Sequence, residues 1–201
     1  MKLLPLDWLI ETHGDEHGAG ARAIHGTMPL PWWSSGNYTG STRHLLLKTR
    51  MDRKRVRLIP LVRLLSSALR EVRLENRNDA KPLLVAMPSW KRHSNPLPQL
   101  IARQLSEDLG WPQARILGRS RPVLGQHKLH RELRWVNQND SFRSSAVDPR
   151  HRKGGRTVLL VDDILTTGAT ATNAAMALRE GGWNPMGIAC LARTPLRQAV
   201  I

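Results

Sequence analysis

An α/β fold built on a parallel sheet is predicted by three features of this 201-residue chain. Thr157 to Val161 is a β-branched and leucine run with the composition of a buried strand. Ala171, Ala174, Ala175 and Leu178 follow at helical spacing, with Gly181-Gly182 as their stop, and Met186 to Ala192 is a second apolar run. A strand, a helix and a strand in so few residues require a right-handed crossover between parallel neighbours.

The earlier elements fit the same plan. Residues 1 to about 30 form the least patterned part. His13-Gly-Asp-Glu-His-Gly-Ala-Gly20 is polar and glycine-rich, so a loop or loose N-terminal arm is expected ahead of a domain spanning residues 31–201. From Pro60 the pattern turns helical: Leu61, Leu64, Leu65, Ala68 and Val72 recur at three- and four-residue spacing, with Arg63, Arg70 and Arg73 between them. A basic stretch, Lys48 to Arg57, precedes them. Pro82 to Met87 is a short apolar run that suits a strand covered on both faces. A helix is predicted next, with Pro98 near its start, Leu100, Ile101, Leu105 and Leu109 on one face and Gly110 at its end. Ala114 to Leu117 is predicted as another short strand, and a basic insertion runs from Arg119 to Arg156.

Composition narrows the function classes. Hydrophobic residues make up 40% of the chain, enough for a packed core. No apolar run is long enough to cross a bilayer, so no membrane insertion is expected. The opening segment from Met1 to Ile10 has a faint signal-peptide look, but Pro5 and Asp7 interrupt its apolar stretch and a cytoplasmic protein is expected. The single cysteine, Cys190, excludes an internal disulfide framework and a cysteine-rich zinc finger. His13, His17 and His25 invite a metal-ligand reading. With no cysteine beside them and no helical context, solvated histidines are the expectation. Lys and Arg total 31 against 16 Asp and Glu, a formal charge of +15. Such an excess favours polyanions, either nucleic acid or a substrate rich in phosphate.

The chemistry is concentrated after the Thr157 strand. In an open parallel sheet, ligands bind beyond the carboxyl ends of strands, where the following helices begin. That position holds Asp162, Asp163, Ile164, Leu165, Thr166, Thr167, Gly168, Ala169 and Thr170. Helix N-terminal amides hold a phosphate, the threonines add hydroxyl donors, and Gly168 lets the backbone approach an anion. Two adjacent carboxylates accept hydrogen bonds from sugar hydroxyls. A phosphate at one end and a diol at the other describe ribose 5-phosphate. The run matches neither GxxxxGK[ST] nor GxGxxG. Its acidic start also suggests a response-regulator receiver domain, but too few residues follow Asp163 for it to open such a fold.

Val161-Asp-Asp-Ile-Leu-Thr-Thr-Gly-Ala-Thr170 resembles the phosphoribosyl pyrophosphate signature of type I phosphoribosyltransferases. A second segment, Gln126 to Phe142, is similar to the ComF (competence protein F) family, with Gln126, Leu129, Arg131, Arg134, Asn137 and Phe142 on that family's spacing. Fainter matches are Tyr38, Gly40, Lys48, the Val85-Ala-Met-Pro88 strand end, Lys91, Arg92, Asn95 and Gln99. The resemblance spans roughly residues 30 to 195 and implies a type I phosphoribosyltransferase-like fold, a parallel sheet flanked by helices with the basic insertion as a hood.

Carried over position by position, the resemblance makes Asp162 and Asp163 the catalytic pair that orients the ribose hydroxyls. Thr166, Thr167, Gly168, Ala169 and Thr170 would hold the 5-phosphate. Ser89, Trp90, Lys91 and Arg92 would face the pyrophosphate, and Gln126, Arg131, Arg134 and Asn137 would belong to the hood. Magnesium is the implied cofactor, with Asp162 and Asp163 acting on it through water. The four-cysteine zinc module of many relatives has no counterpart among these residues, and no zinc is expected. The stretch between Pro88 and Gln99 is about two residues shorter than the family pattern and lacks its basic-glycine-aromatic run.

Between Arg119 and Arg156 stand ten Lys and Arg against three acids. Their arginines suit a pyrophosphate clamp or a nucleic-acid backbone, and Trp135 suits either stacking on a base or packing the hood onto the core. Three functional readings follow. The first is an enzyme that transfers a 5-phosphoribosyl group to an unidentified acceptor. The second is a non-catalytic competence or DNA-processing factor that binds single-stranded DNA or RNA, with the phosphoribosyl site regulatory. The third is a transcription or RNA regulator that senses the metabolite.

Overall fold

The computed structural model describes residues 23–52, 54–75, 81–89, 95–120, 141–147 and 156–195. Its centre is a five-stranded sheet of β1 (Ile24–Gly26), β2 (Trp32–Ser34), β3 (Leu83–Ala86), β6 (Thr157–Leu165) and β7 (Asn184–Arg193). Across the sheet their order is β1-β2-β7-β6-β3. β2, β7, β6 and β3 run parallel, and only β1 is antiparallel, to β2. A separate two-stranded antiparallel ribbon joins β4 (Leu117–Arg119) to β5 (Phe142–Ser144). The helices are α1 (Gly40–Asp52), α2 (Ile59–Glu75), α3 (Leu97–Leu109) and α4 (Ala169–Glu180). The predicted α/β architecture, a mostly parallel sheet flanked by helices, is therefore present.

Strand alternation divides the core into two layers. Leu84, Leu159, Val161, Ala189 and Leu191 face α1, α2 and α3, where they meet Leu46, Val62, Leu65, Ile101 and Leu105. Val85, Val158, Leu160, Ile188 and Cys190 face the other way, toward α4, Leu117 and Phe142. The buried side of α4 is built from Ala169, Ala171, Ala174, Ala175, Ala177 and Leu178. Small side chains at those positions let the helix lie close against β6 and β7.

Several boundaries depart from the sequence expectations. The strand predicted to end at Val161 runs to Leu165, because β7 extends to Arg193 and pairs with it as far as Leu165. The acidic pair therefore lies within β6 and not in the loop after it. The strand expected at Ala114–Leu117 is displaced to Leu117–Arg119. Gln113 instead makes an isolated parallel bridge to Leu84 on the sheet edge, and β4 forms where Phe142–Ser144 offers a partner. The apolar stripe of α2 is rotated from the expected one: Leu61, Val62, Leu65 and Leu69 are buried, while Leu64, Ala68 and Val72 are half-buried. The basic stretch from Lys48 is the end of α1 followed by a 3₁₀ turn, Arg55–Leu58, that leads into α2. β1 lies within the segment expected to be an arm, and Leu30 packs into the layer beside α4.

Candidate functional site

β6 carries Asp162 and Asp163 to the carboxyl end of the sheet, and the alternation of the strand separates their surroundings. Asp163 is buried on the side of α1 and α3. Its Oδ2 accepts from a terminal nitrogen of Arg50 at 2.5 Å and from Asn95 Nδ2 at 3.0 Å, and its Oδ1 accepts from the Ile164 N–H at 3.0 Å. Asp162 accepts from the Asp163 N–H at 2.8 Å and lies toward Arg119 of β4. Burial raises the Asp162 carboxyl well above the usual carboxylate range, the neighbouring charge of Asp163 and a hydrogen bond between the two side chains add to this, and the Asp163 amide and Arg119 oppose it.

Two arginines flank the pair. Burial works against the charge of Arg50, but the carboxylate of Asp163 more than offsets it, so its guanidinium is held more firmly protonated than usual. Arg119 is pushed down to about 10 by burial, with Asp162 pulling the other way. Its Nε donates to the Pro88 carbonyl at 3.2 Å, and its guanidinium sits 4.2 Å from the centroid of the Phe142 ring. Arg50 and Arg119 thus bring two guanidinium groups to the cavity, which suits an anionic ligand.

At the other end of the site the chain turns through Thr166, Thr167 and Gly168 into α4. Gly168 has φ +86° and stands at the N-cap, its Cα against the ring of Pro29. The Ala169 N–H donates to Thr167 Oγ1 at 3.3 Å and the Thr172 N–H to the Gly168 carbonyl at 2.8 Å. The turn is anchored from behind by the buried Arg193. Its guanidinium donates to the Leu165 carbonyl at 3.0 Å and to the Thr166 carbonyl, and it packs 5.3 Å from the Trp32 ring centroid. These groups meet in one cavity of about 280 Å³ lined by Asp162 to Gly168, Thr170, Arg50, Ser89, Asn95 and Arg119.

The candidates are thus partly gathered. Asp162, Asp163, Thr166, Thr167, Gly168 and Thr170 share the cavity, and Ser89 joins them; Ala169 is buried at the start of α4. Trp90, Lys91, Arg92, Gln126, Arg131, Arg134, Trp135 and Asn137 lie outside the described residues, as do His13 and His17. His25 is exposed in β1. Cys190 is buried beneath the site, and burial pushes its thiol up to about 12. Sequence reasoning did not assign Arg50, Arg119, Arg193 or Pro29 to the site. Arg50 carried one signal, its place in a basic stretch, but a basic stretch reads first as a solvated surface.

Asp162 offers a direct pH test. Its folded-state pKa is raised, so the folded protein holds a proton that the unfolded chain has released. The contribution of this group to stability is then greatest at low pH and declines as pH rises from about 4 through the folded-state value. Asp162→Asn keeps the acceptor for the Asp163 amide and removes the charge. It is expected to raise the Tm at neutral pH by roughly 2–4 °C, about 1 kcal/mol, and to flatten the decline. Thermal melts of both proteins between pH 4 and 8 read the effect.

Among the described residues no three potential metal ligands cluster together. No described helix is long and apolar enough to cross a membrane. The sequence matches no protein-family model. Among solved structures, the crystal structure of TT1426 from Thermus thermophilus shares 15% identity and covers 69% of this chain and 86% of that one, with a TM-score of 0.35. Curated relatives are nearer. The DNA utilization protein YhgH of Salmonella typhi is 30% identical over 179 residues, 83% of this chain and 74% of the relative. That of Escherichia coli (strain K12) is 27% identical over 178 residues, with the same shares covered. At this identity and coverage, the chain belongs to the family of the DNA utilization protein YhgH.

Proposed function

We propose that this protein binds phosphoribosyl pyrophosphate on a type I phosphoribosyltransferase-like framework and transfers the 5-phosphoribosyl group to an acceptor, releasing pyrophosphate. The observation that carries the reading is the meeting of the Asp162–Asp163 pair with the threonine and glycine turn at the head of α4 in one cavity. The turn would take the 5-phosphate and the carboxylates the ribose diol. That leaves C1 toward Pro88, Ser89 and Asn95. The bond from C1 to the pyrophosphate oxygen breaks as the bond to the acceptor forms, through an oxocarbenium-like transition state. The protein's share is positioning and electrostatic stabilisation: Asp163 orients the sugar, and Arg119 stands by to meet the leaving charge.

Magnesium would suit this lining, because its acidic side chains, Asp162 and Asp163, offer oxygen and, among the described residues, no His or Cys lines the cavity, so a hard cation would take most of its ligands from phosphates and water. When bound, the ion supplies charge neutralisation of the pyrophosphate. Asp162 and Asp163 would reach it through water.

A second reading keeps the ligand site as a regulatory one and makes single-stranded DNA or RNA the partner. The formal charge of +15 favours it, as does the name of the relatives. Calorimetric titration with phosphoribosyl pyrophosphate and magnesium at ~150 mM salt tests the ligand site that both readings share. The first reading expects binding by wild type that disappears in Asp162→Asn/Asp163→Asn. Failure of wild type to bind would sink it. Titration of a single-stranded oligonucleotide supports the second reading if affinity is measurable at ~50 mM salt and falls by about 10³-fold or more by ~200 mM.

A further inference from the structure

Arg50 is the one cavity-lining side chain contributed by α1, and its placement sets it apart from its neighbours on that helix. Arg43, His44, Leu47, Lys48 and Met51 are exposed, whereas the Arg50 guanidinium turns in to Asp163. It shares Asp163 Oδ2 with Asn95, and both side chains line the same cavity as the Thr166–Gly168 turn. Only part of its hydrogen-bonding capacity is used there. Nε is buried without any partner, although the guanidinium lines a cavity large enough to hold a ligand. A buried, unsatisfied N–H on a charged group is costly. An anion that draws the guanidinium out toward the cavity would give this group a partner.

The pairing has a second consequence. Asp163 Oδ2 already accepts from two donors, so a sugar hydroxyl that needs this oxygen must compete with Arg50. An anion that draws the guanidinium toward itself would free the carboxylate for the sugar. We propose that Arg50 is a ligand-binding residue for the diphosphate on C1, exchanging part of its contact with Asp163 for phosphate oxygens when ligand enters. It thereby distinguishes phosphoribosyl pyrophosphate from ribose 5-phosphate. This inference rests on the phosphoribosyl reading of the site and assigns its specificity. The fork of an arginine suits the task, since two N–H groups can meet two phosphate oxygens at once.

The test compares two ligands on the full chain. Wild type, Arg50→Gln and Arg50→Lys are titrated calorimetrically with phosphoribosyl pyrophosphate and with ribose 5-phosphate, each with magnesium, and melted thermally beforehand. Gln can still donate to Asp163, and Lys keeps the charge without the fork, so at least one folded variant is expected. In Arg50→Gln the affinity for phosphoribosyl pyrophosphate should fall by about 10- to 100-fold, while that for ribose 5-phosphate stays within about threefold. Arg50→Lys should give a smaller loss confined to the same ligand. Equal losses for both ligands, or no loss in either variant, would overturn the assignment of Arg50 and leave the phosphoribosyl reading standing. A wild type that binds neither ligand would instead remove the reading, and the role of Arg50 with it.

Discussion

Gly168→Val is expected to abolish measurable binding of phosphoribosyl pyrophosphate. Gly168 has φ +86°, a conformation that costs a non-glycine residue about 1–2 kcal/mol and a β-branched one more. A Cβ there would stand 2.3 Å from Pro29 Cγ and 2.7 Å from its Cδ. Pro29 belongs to a surface segment and can shift, but the backbone strain stays unless the turn itself moves. Moving the turn displaces Thr166, Thr167 and the first amides of α4, the groups assigned to the 5-phosphate. Loss of two charge-assisted hydrogen bonds is worth about 3–6 kcal/mol, or at least ~100-fold in affinity. Calorimetry at ~150 mM salt reads this, with Gly118→Ala as the matched control. A Cβ at Gly118 meets nothing within 4 Å, so that variant should bind like wild type. A Kd for Gly168→Val within about threefold of wild type would show that the head of α4 does not hold the phosphate.

The second large effect falls on stability. Gly187 lies in β7 with φ +153°, and its added Cβ would stand 2.3 Å from the Pro31 carbonyl oxygen and 3.0 Å from its carbon. Both are backbone atoms, so no side-chain rotation relieves the contact. The same carbonyl accepts the Ile188 N–H at 2.9 Å, at the start of the β2–β7 ladder. Gly187 also sits at the irregularity where β6 and β7 shift register after Val158. Gly187→Ala is expected to destabilise the protein by about 3–5 kcal/mol, a Tm loss of roughly 6–20 °C. Thermal melts measure it. A Tm within about 2 °C of wild type would mean that β2 yields its position freely. The two glycines thus separate two demands, ligand approach at Gly168 and strand approach at Gly187.

Much of the fold was legible because its signals are local. Thr157–Val161, Ala171–Leu178 and Met186–Ala192 each carry one period over a length suited to one element, and the glycines at 110, 181 and 182 close the helices where expected. α1 was not anticipated. Leu45, Leu46 and Leu47 are consecutive, and its buried stripe of Thr42, Leu45, Leu46 and Thr49 is half threonine, so no helical period stands out from the basic residues around it. β4 and β5 were misplaced or missed for another reason. Each is three residues long and exists by pairing with the other across more than twenty intervening residues, information that no window along the chain contains.

The sequence by itself determined the α/β class, the two apolar layers and the identity of the groups at the end of β6 and in the turn after it, because burial period and helix-start chemistry depend on neighbours in the chain. Tertiary structure alone decided how those groups are charged and aimed. Asp162 and Asp163 are adjacent and chemically alike, yet one is held toward its neutral form beside Arg119 and the other is bonded to Arg50 and Asn95. Arg50 precedes Asp163 by 113 residues, and Asn95 by 68. Arg193, at the end of β7, secures the turn that follows β6. The physical reason is common to all of them: desolvation and Coulombic pairing act through space, and only the packed fold brings those partners within reach.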